Sequence, residues 1–259
     1  MRSGHNGPTI ALRGSEFVHP FPSRTMPDPV RLNGMSSSAA ALQMLERRQQ
    51  VLSNNLANAS TRGFKAESAF TRMMNDAMAS TDTALDLTQG TLTETHNTLD
   101  LAIEGEGFFV TQTPAGERFV RNGSFRLDPD RRLVDDKGNA VLGDDGAIVL
   151  PPGAIEIDKA GMVKVNGKPV QRLRIERVAV GTQLEHEGGT QFVPDKSRQV
   201  IPPDERVVRQ GFVEESNVNP MSAMTAMLEL LHRYGAAQKA LSTIDAVRGI
   251  AVTDLAKPV

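Results

Sequence analysis

Two apolar repeats of different period divide this chain, and their order limits the folds open to it. Near both ends the large apolar residues recur every three or four positions, the period of an α-helix. Between the ends they recur every second position, the period of a half-buried strand. A stripe at each terminus has an apolar face to bury, and the β-rich stretch between them can cover only part of it. The rest of the cover must come from the other terminus or from another molecule, which points to an assembly protein and away from an enzyme.

The first helix opens on Ser36, Ser37 and Ser38, whose hydroxyls suit an N-cap, followed by the helix formers Ala39, Ala40 and Ala41. Ala41, Leu45, Leu52 and Leu56 then fall on one face, with Met44 and Val51 beside it. Asn54, Asn55 and Asn58 crowd the last two turns. Asparagine is a poor interior helix residue, so three of them on and beside an apolar face point to hydrogen bonds with something other than water. The helix is expected to stop near Asn58, in a segment ending at Gly63, which tolerates a turn conformation.

The second helix has a start signal in Asn217-Val218-Asn219-Pro220. Asn219 can accept from a first-turn amide, and proline fits the first helical position because its missing N–H had no partner there. Met221, Met224, Met227, Leu228, Leu231, Tyr234, Leu241, Ile244 and Val247 follow at helical spacing. Within them Met227, Leu231, Tyr234, Gln238 and Leu241 alternate by four and three, which predicts a short coiled-coil-like seam.

From Gly90 the period changes to two: Leu99, Leu101 and Ile103 alternate with Asp100, Ala102 and Glu104. Phe108–Gln112 and Arg118–Val120 read as a hairpin across Pro114-Ala115-Gly116, and Asn166-Gly167 is a second hairpin signal. Between the first helix and these strands, Phe70, Met73, Met74 and Met78 keep a helical spacing and predict a short helix or a crossing loop. The expected fold is α+β: a mainly-β central domain over residues 81–210, inserted between an N-terminal helical segment (35–80) and a C-terminal one (211–259). The two helical segments are expected to pair as a coiled-coil-like bundle. Residues 1–34, rich in proline and glycine and without an apolar core, read as a disordered extension or a mis-called start.

Little in the chain suggests chemistry. The formal net charge of −2 gives no footprint for nucleic acid, and the absence of cysteine removes thiol chemistry and disulfides. No run approaches the ~20 apolar residues of a transmembrane span. Gly105-Glu106-Gly107 lacks the third glycine of a dinucleotide loop, and His186-Glu187 lacks the second histidine of a zinc-protease helix. The Asp135-Asp136 and Asp144-Asp145 pairs are explained by turns. Catalytic residues, a metal and a cofactor are therefore not expected. A β domain carrying a ligand groove, or a hydrolase assembled from scattered residues, has no sequence feature of its own.

Four segments in order resemble the bacterial flagellar rod and hook axial proteins. Gln50–Lys65 (QVLSNNLANASTRGFK) resembles their amino-terminal motif, and Gly211–Pro220 (GFVEESNVNP) with the methionine-rich helix resembles their carboxy-terminal one. Leu99–Val110 and Phe119–Phe125 resemble the start of the family's β domain. The chain has no room for the large outer domains of a hook protein. Val170–Val178 with the polar run after it resembles the proximal-rod type more than the distal rod or hook-related type. The resemblance implies a subunit of the periplasmic rod of the flagellar basal body, exported by the flagellar type III apparatus without a cleaved signal. Such a subunit stacks helically on itself and on other rod and hook axial proteins and transmits torque. On this reading Leu45, Leu52, Leu56, Met224, Met227, Leu231 and Leu241 supply apolar burial between subunits. Asn54, Asn55, Asn58 and Asn217 set register, with Asn219 and Tyr234 in the same interface.

Overall fold

A computed structural model of the chain describes residues 34–74, 78–179, 182 and 184–255. Apart from Gly34, the extension expected over residues 1–34 lies outside the described residues. Helix α1 (Gly34–Ala57) and helix α2 (Pro220–Leu255) flank a body of short strands, and every strand pair is antiparallel.

Both helix boundaries follow from side-chain chemistry. At the start of α2 the Ser222 amide donates to Asn219 Oδ1 at 3.1 Å, the cap that the Asn-Pro pair predicts. At the end of α1 the Asn58 side chain donates to the Asn54 carbonyl at 2.9 Å and accepts from Thr61 at 3.2 Å, closing the last turn. Gly63 then takes a positive φ of 66°.

The chain after α1 is not helical. Strands β1 (Glu67–Met74) and β2 (Met78–Leu85) form a hairpin with Glu67 opposite Leu85. The methionine spacing there fitted a helix, but Asn55 decides otherwise. Its side-chain amide donates to the Glu67 carbonyl at 2.7 Å and its oxygen accepts the Glu67 amide at 2.9 Å. The asparagine thus acts as one residue of a β-ladder and draws the chain into an extended conformation.

The two ends also differ from the expected arrangement. α1 and α2 are the two helices of the described residues, and they do not pair as a coiled-coil-like bundle. Tyr234 of α2 donates to Glu46 of α1 at 3.4 Å, a polar contact where the bundle called for an apolar seam. Within that seam Leu231 is 48% exposed and Gln238 is also exposed. The covered line of α2 runs instead through Ala223, Leu230 and the half-buried Met227, Tyr234 and Leu241. The expected seam put Leu231 where α2 turns Leu230 inward; Met227, Tyr234 and Leu241 belong to both lines.

The body is built on a sheet of ten short strands, in which Phe108–Thr113 pairs with Gly116–Val120, Ala140–Gly143 and Ile175–Arg177. This strand is covered on both faces, so alternate residues enter different cores. Phe109 joins Leu101, Phe125, Leu133, Leu173 and Ile175. Phe108 and Val110 join Phe119, Leu142 and Phe192 on the other side. A three-stranded sheet carries the Asn166-Gly167 turn, with φ of 51° and 76°, the left-handed pair that Asn-Gly suits. Val208–Gln210 pairs with Leu101–Ile103 and Phe212–Glu214 with Leu92–Glu94, which carries the chain back to the start of α2.

Phe109 is fully buried and meets Phe125 edge-on at 5.1 Å between ring centroids. Phe109→Ala is expected to lower the unfolding free energy by about 3–5 kcal/mol in urea titration, and a loss under about 1 kcal/mol would show that the two cores are not packed around this strand.

Candidate functional site

The residues around position 65, the linker 86–90 and the last strand before α2 come together at one buried carboxylate. Glu214 Oε1 accepts Lys65 Nζ at 2.7 Å and the Gly90 amide at 2.9 Å, while Oε2 accepts Arg121 Nε. The side chains of Lys65, Glu214 and Arg121 are all at most 3% exposed. Lys65 also donates to the Thr88 carbonyl at 2.6 Å. The Arg121 guanidinium reaches the carbonyls of Ile103, at 2.9 Å, and of Gly105 and Gly107, so it clamps the 103–107 loop. The Glu214 backbone oxygen receives the Gly63 amide at 2.7 Å. Gly63 lies so close to the body that a β-carbon there would stand 2.3 Å from the Asn122 nitrogen.

Asn217 adds a second tie. Its oxygen accepts the Ala66 amide at 2.8 Å, and its amide donates to the Asp86 carbonyl at 2.8 Å and the Thr88 carbonyl at 3.1 Å. The exit of α1, the entry to α2 and the linker after the hairpin are therefore stitched to each other and to the body. A carboxylate holding two buried cations makes the joint directional, because charge-assisted hydrogen bonds fix geometry as well as distance. The cluster holds two cations and one anion. Burial pushes the Lys65 ammonium below its usual range, more than its hydrogen bond to Glu214 raises it, and the neighbouring Arg121 lowers it further.

The sequence-predicted residues fall into two groups. Asn54, Asn55, Asn58, Asn217 and Asn219 make hydrogen bonds within the chain, at the helix ends and the joint. Leu45, Leu52, Leu56, Met227, Tyr234 and Leu241 are half-buried, and Met224 and Leu231 are exposed. Lys65, Arg121 and Glu214 carry the joint and were not singled out from the sequence. Lys65 and Glu214 do lie inside the two terminal motifs, and a charged residue next to a buried aromatic such as Phe64 was the available signal.

A cleft of about 720 Å3 adjoins the joint, walled by Leu85, Leu87, Phe108, Val178 and Leu184. Its cations Lys65, Arg121 and Arg177 are already engaged, the last with Glu205 at 3.0 Å, so they do not converge on its open space. Among the described residues no cluster of acidic or histidine side chains has the spacing to hold a metal, and no helix is long and apolar enough to cross a membrane.

A β body whose two junctions with the helices meet at one buried hub, and a helix left partly uncovered, defines a structural subunit of an assembly. Comparison with known proteins gives the family. Residues 35–65 match the family model described as flagella basal body rod protein, residues 102–171 the flagellar hook protein FlgE/F/G D1 domain, and residues 209–253 the flagellar basal body rod FlgEFG protein C-terminal region. The flagellar basal-body rod protein FlgF of Caulobacter vibrioides is 31% identical over 229 residues, covering 82% of this chain and 94% of the relative. FlgF of Mesorhizobium japonicum is 33% identical, over 73% of this chain and 83% of its own length. FlgF of Escherichia coli is 30% identical, over 81% and 92%. The chain belongs to the flagellar basal-body rod protein family, is of the proximal-rod type, and serves as a structural axial subunit of the rod in the flagellar basal body.

The charge count at the joint makes two substitutions unequal. Glu214→Gln leaves two buried cations without a counter-charge and is expected to cost about 3–5 kcal/mol in urea unfolding. Lys65→Met leaves a one-to-one Arg121–Glu214 pair and is expected to cost at most about 2 kcal/mol. Equal costs would contradict the two-cation, one-anion arrangement.

Proposed function

We propose that the chain works in the rod as a stiff repeat whose α2 is covered by neighbouring axial subunits. One observation carries this reading. Met221, Met224, Leu228 and Leu231 are 73, 49, 60 and 48% exposed, at helical spacing along one side of α2. Leu228 lies roughly 160° around the axis from the buried Leu230. A helix that is apolar on opposite sides belongs in an interior, and the body and α1 cover only one of those sides. The partners that suit the open side are further copies of this chain and other rod and hook axial proteins. Covering four such side chains is worth on the order of 5 kcal/mol before ordering costs. Methionine suits a surface that must fit several related partners, because its unbranched side chain adapts to each.

The interface includes Leu45, Leu52 and Leu56 on α1 and Met224, Met227, Leu231, Tyr234 and Leu241 on α2. Asn54, Asn55, Asn58, Asn217 and Asn219 act one step behind it, holding the helix ends at the angle the neighbour meets. The contact is heterologous and does not close, so it builds a helical stack instead of a ring. The β-rich central domain, residues 81–210, forms the outer wall, and the Glu214 joint carries torque from the helices into it. The chain reaches the periplasmic part of the basal body through the flagellar type III export apparatus, without a cleaved leader.

Leu228→Asp and Leu231→Asp test the interface. Both positions are solvent-facing in the isolated chain, so each variant is expected to unfold within about 1 kcal/mol of the parent. In cells each is expected to be exported yet excluded from isolated basal bodies, leaving the bacteria non-motile. Normal motility of both variants would overturn the assignment of this face.

A further inference from the structure

We propose that the open side of α2 in one copy of this chain seats in the cleft beside the Glu214 joint of the next copy. The inference rests on the proposed function, in which neighbouring subunits cover α2, and it names the surface that does the covering. Met221, Met224, Leu228 and Leu231 lie at positions i, i+3, i+7 and i+10, within about 80° of arc on a helix of 3.6 residues per turn. That is the spacing at which a helix places its anchors in an apolar groove. From Met221 to Leu228 the sequence MSAMTAML carries no charge, so this stretch takes no ion into a groove with it.

The cleft has the matching character. Leu85, Leu87, Phe108, Val178 and Leu184 wall it, and Leu87 is left 39% exposed. Its volume of about 720 Å3 is that of a site that encloses a ligand, here the side chains of a helix. Lys65 and Arg121 are held by Glu214, and Arg177 by Glu205, so the cleft asks for no anion. Two exposed carboxylates, Asp86 and Glu106, also line it. They suit the positive end of a helix, and the exposed first turn of α2 carries no acidic residue to repel them. Methionine, unbranched and flexible, fits itself to walls of this irregular kind.

The helix that fills the cleft comes from another copy. No residue of α2 lines the cleft of its own chain. Asn217 fixes the entry to α2 by its bonds to the Asp86 and Thr88 carbonyls, and Ala223 and Leu230 are buried on the side away from the methionines. Turning the helix to bring Met224 into its own cleft would expose both. Helix and cleft are different surfaces, so joining one copy's helix to the next copy's cleft leaves a free cleft at one end of the pair and a free helix at the other. Such a contact is heterologous and repeats without closing. Two open sides laid face to face would instead make an isologous contact that stops at two chains.

The experiment is disulfide cross-linking, for which the chain has no cysteine of its own to interfere. Met224→Cys on the helix and Leu87→Cys on the cleft wall are placed together in one chain, and basal bodies isolated from cells making it are run on a non-reducing gel. A ladder of two, three and more chains is expected from the double variant, and single chains alone from either single variant. Dimers from Met224→Cys alone would show face-to-face helices and overturn the proposal. So would the absence of a ladder from basal bodies that contain the double variant, the result if a different axial subunit fills the cleft. Should the double variant not enter basal bodies, the purified single variants are mixed and oxidised; the mixed dimer must form, and its absence rejects the contact. Leu228→Asp keeps the two readings apart. Its exclusion from basal bodies without a ladder from the double variant would leave the open side of α2 an interface and overturn only its seat in this cleft.

Discussion

The arrangement of this molecule depends on a carboxylate that is out of reach of water. Glu214 gathers Lys65, Arg121 and the Gly90 amide. Each comes from a segment that would otherwise be free to move: the exit of α1, the body, and the linker after the hairpin. Apolar packing could hold these segments together but would let them slide. Buried charges do not slide, because any shift leaves a cation without its counter-charge at a cost of several kcal/mol. The joint is also crowded at the backbone level, with Gly63 pressed against the Arg121–Asn122 peptide.

Stiffness at the joint contrasts with the incompleteness of α2. The helix turns Ala223 and Leu230 inward and leaves Met221, Met224, Leu228 and Leu231 facing out. A protein working alone would carry polar residues there. The same contrast accounts for the failed bundle: α2 has no single apolar seam to offer α1, because its apolar residues are shared between two opposite sides. The body, with two cores packed about the Phe108–Thr113 strand, needs neither helix for its own burial.

Much of the architecture was legible in the residues. Asn219-Pro220 marked the start of α2, Asn166-Gly167 marked a turn, and period-two apolar patterning marked the strands around Phe108. Each of these is a local signal, read within a few positions. The hairpin at Glu67–Leu85 was not legible, since its methionines fit a helical spacing and the residue that decides, Asn55, acts from 12 positions away. The joint was illegible for the same reason on a larger scale, because Lys65 and Glu214 are 149 positions apart. The seam was misplaced by one residue, from Leu230 to Leu231, because either leucine keeps a four-and-three spacing with Met227, Tyr234 and Leu241, and the apolar pattern alone does not separate the two. The asparagines drew attention as hydrogen-bonding groups, but the sequence could not say that their partners were the chain's own backbone.

Whether Glu214 sets the angle between helix and body is most directly tested by distance measurement. The chain has no cysteine, so spin labels can be placed by substitution at the exposed positions Ser222 and Asp136. Pulsed electron–electron resonance then reports the spread of distances between the start of α2 and the body. A narrow distribution in the parent that broadens in Glu214→Gln is the predicted result; a distribution of the same width in both would contradict the account.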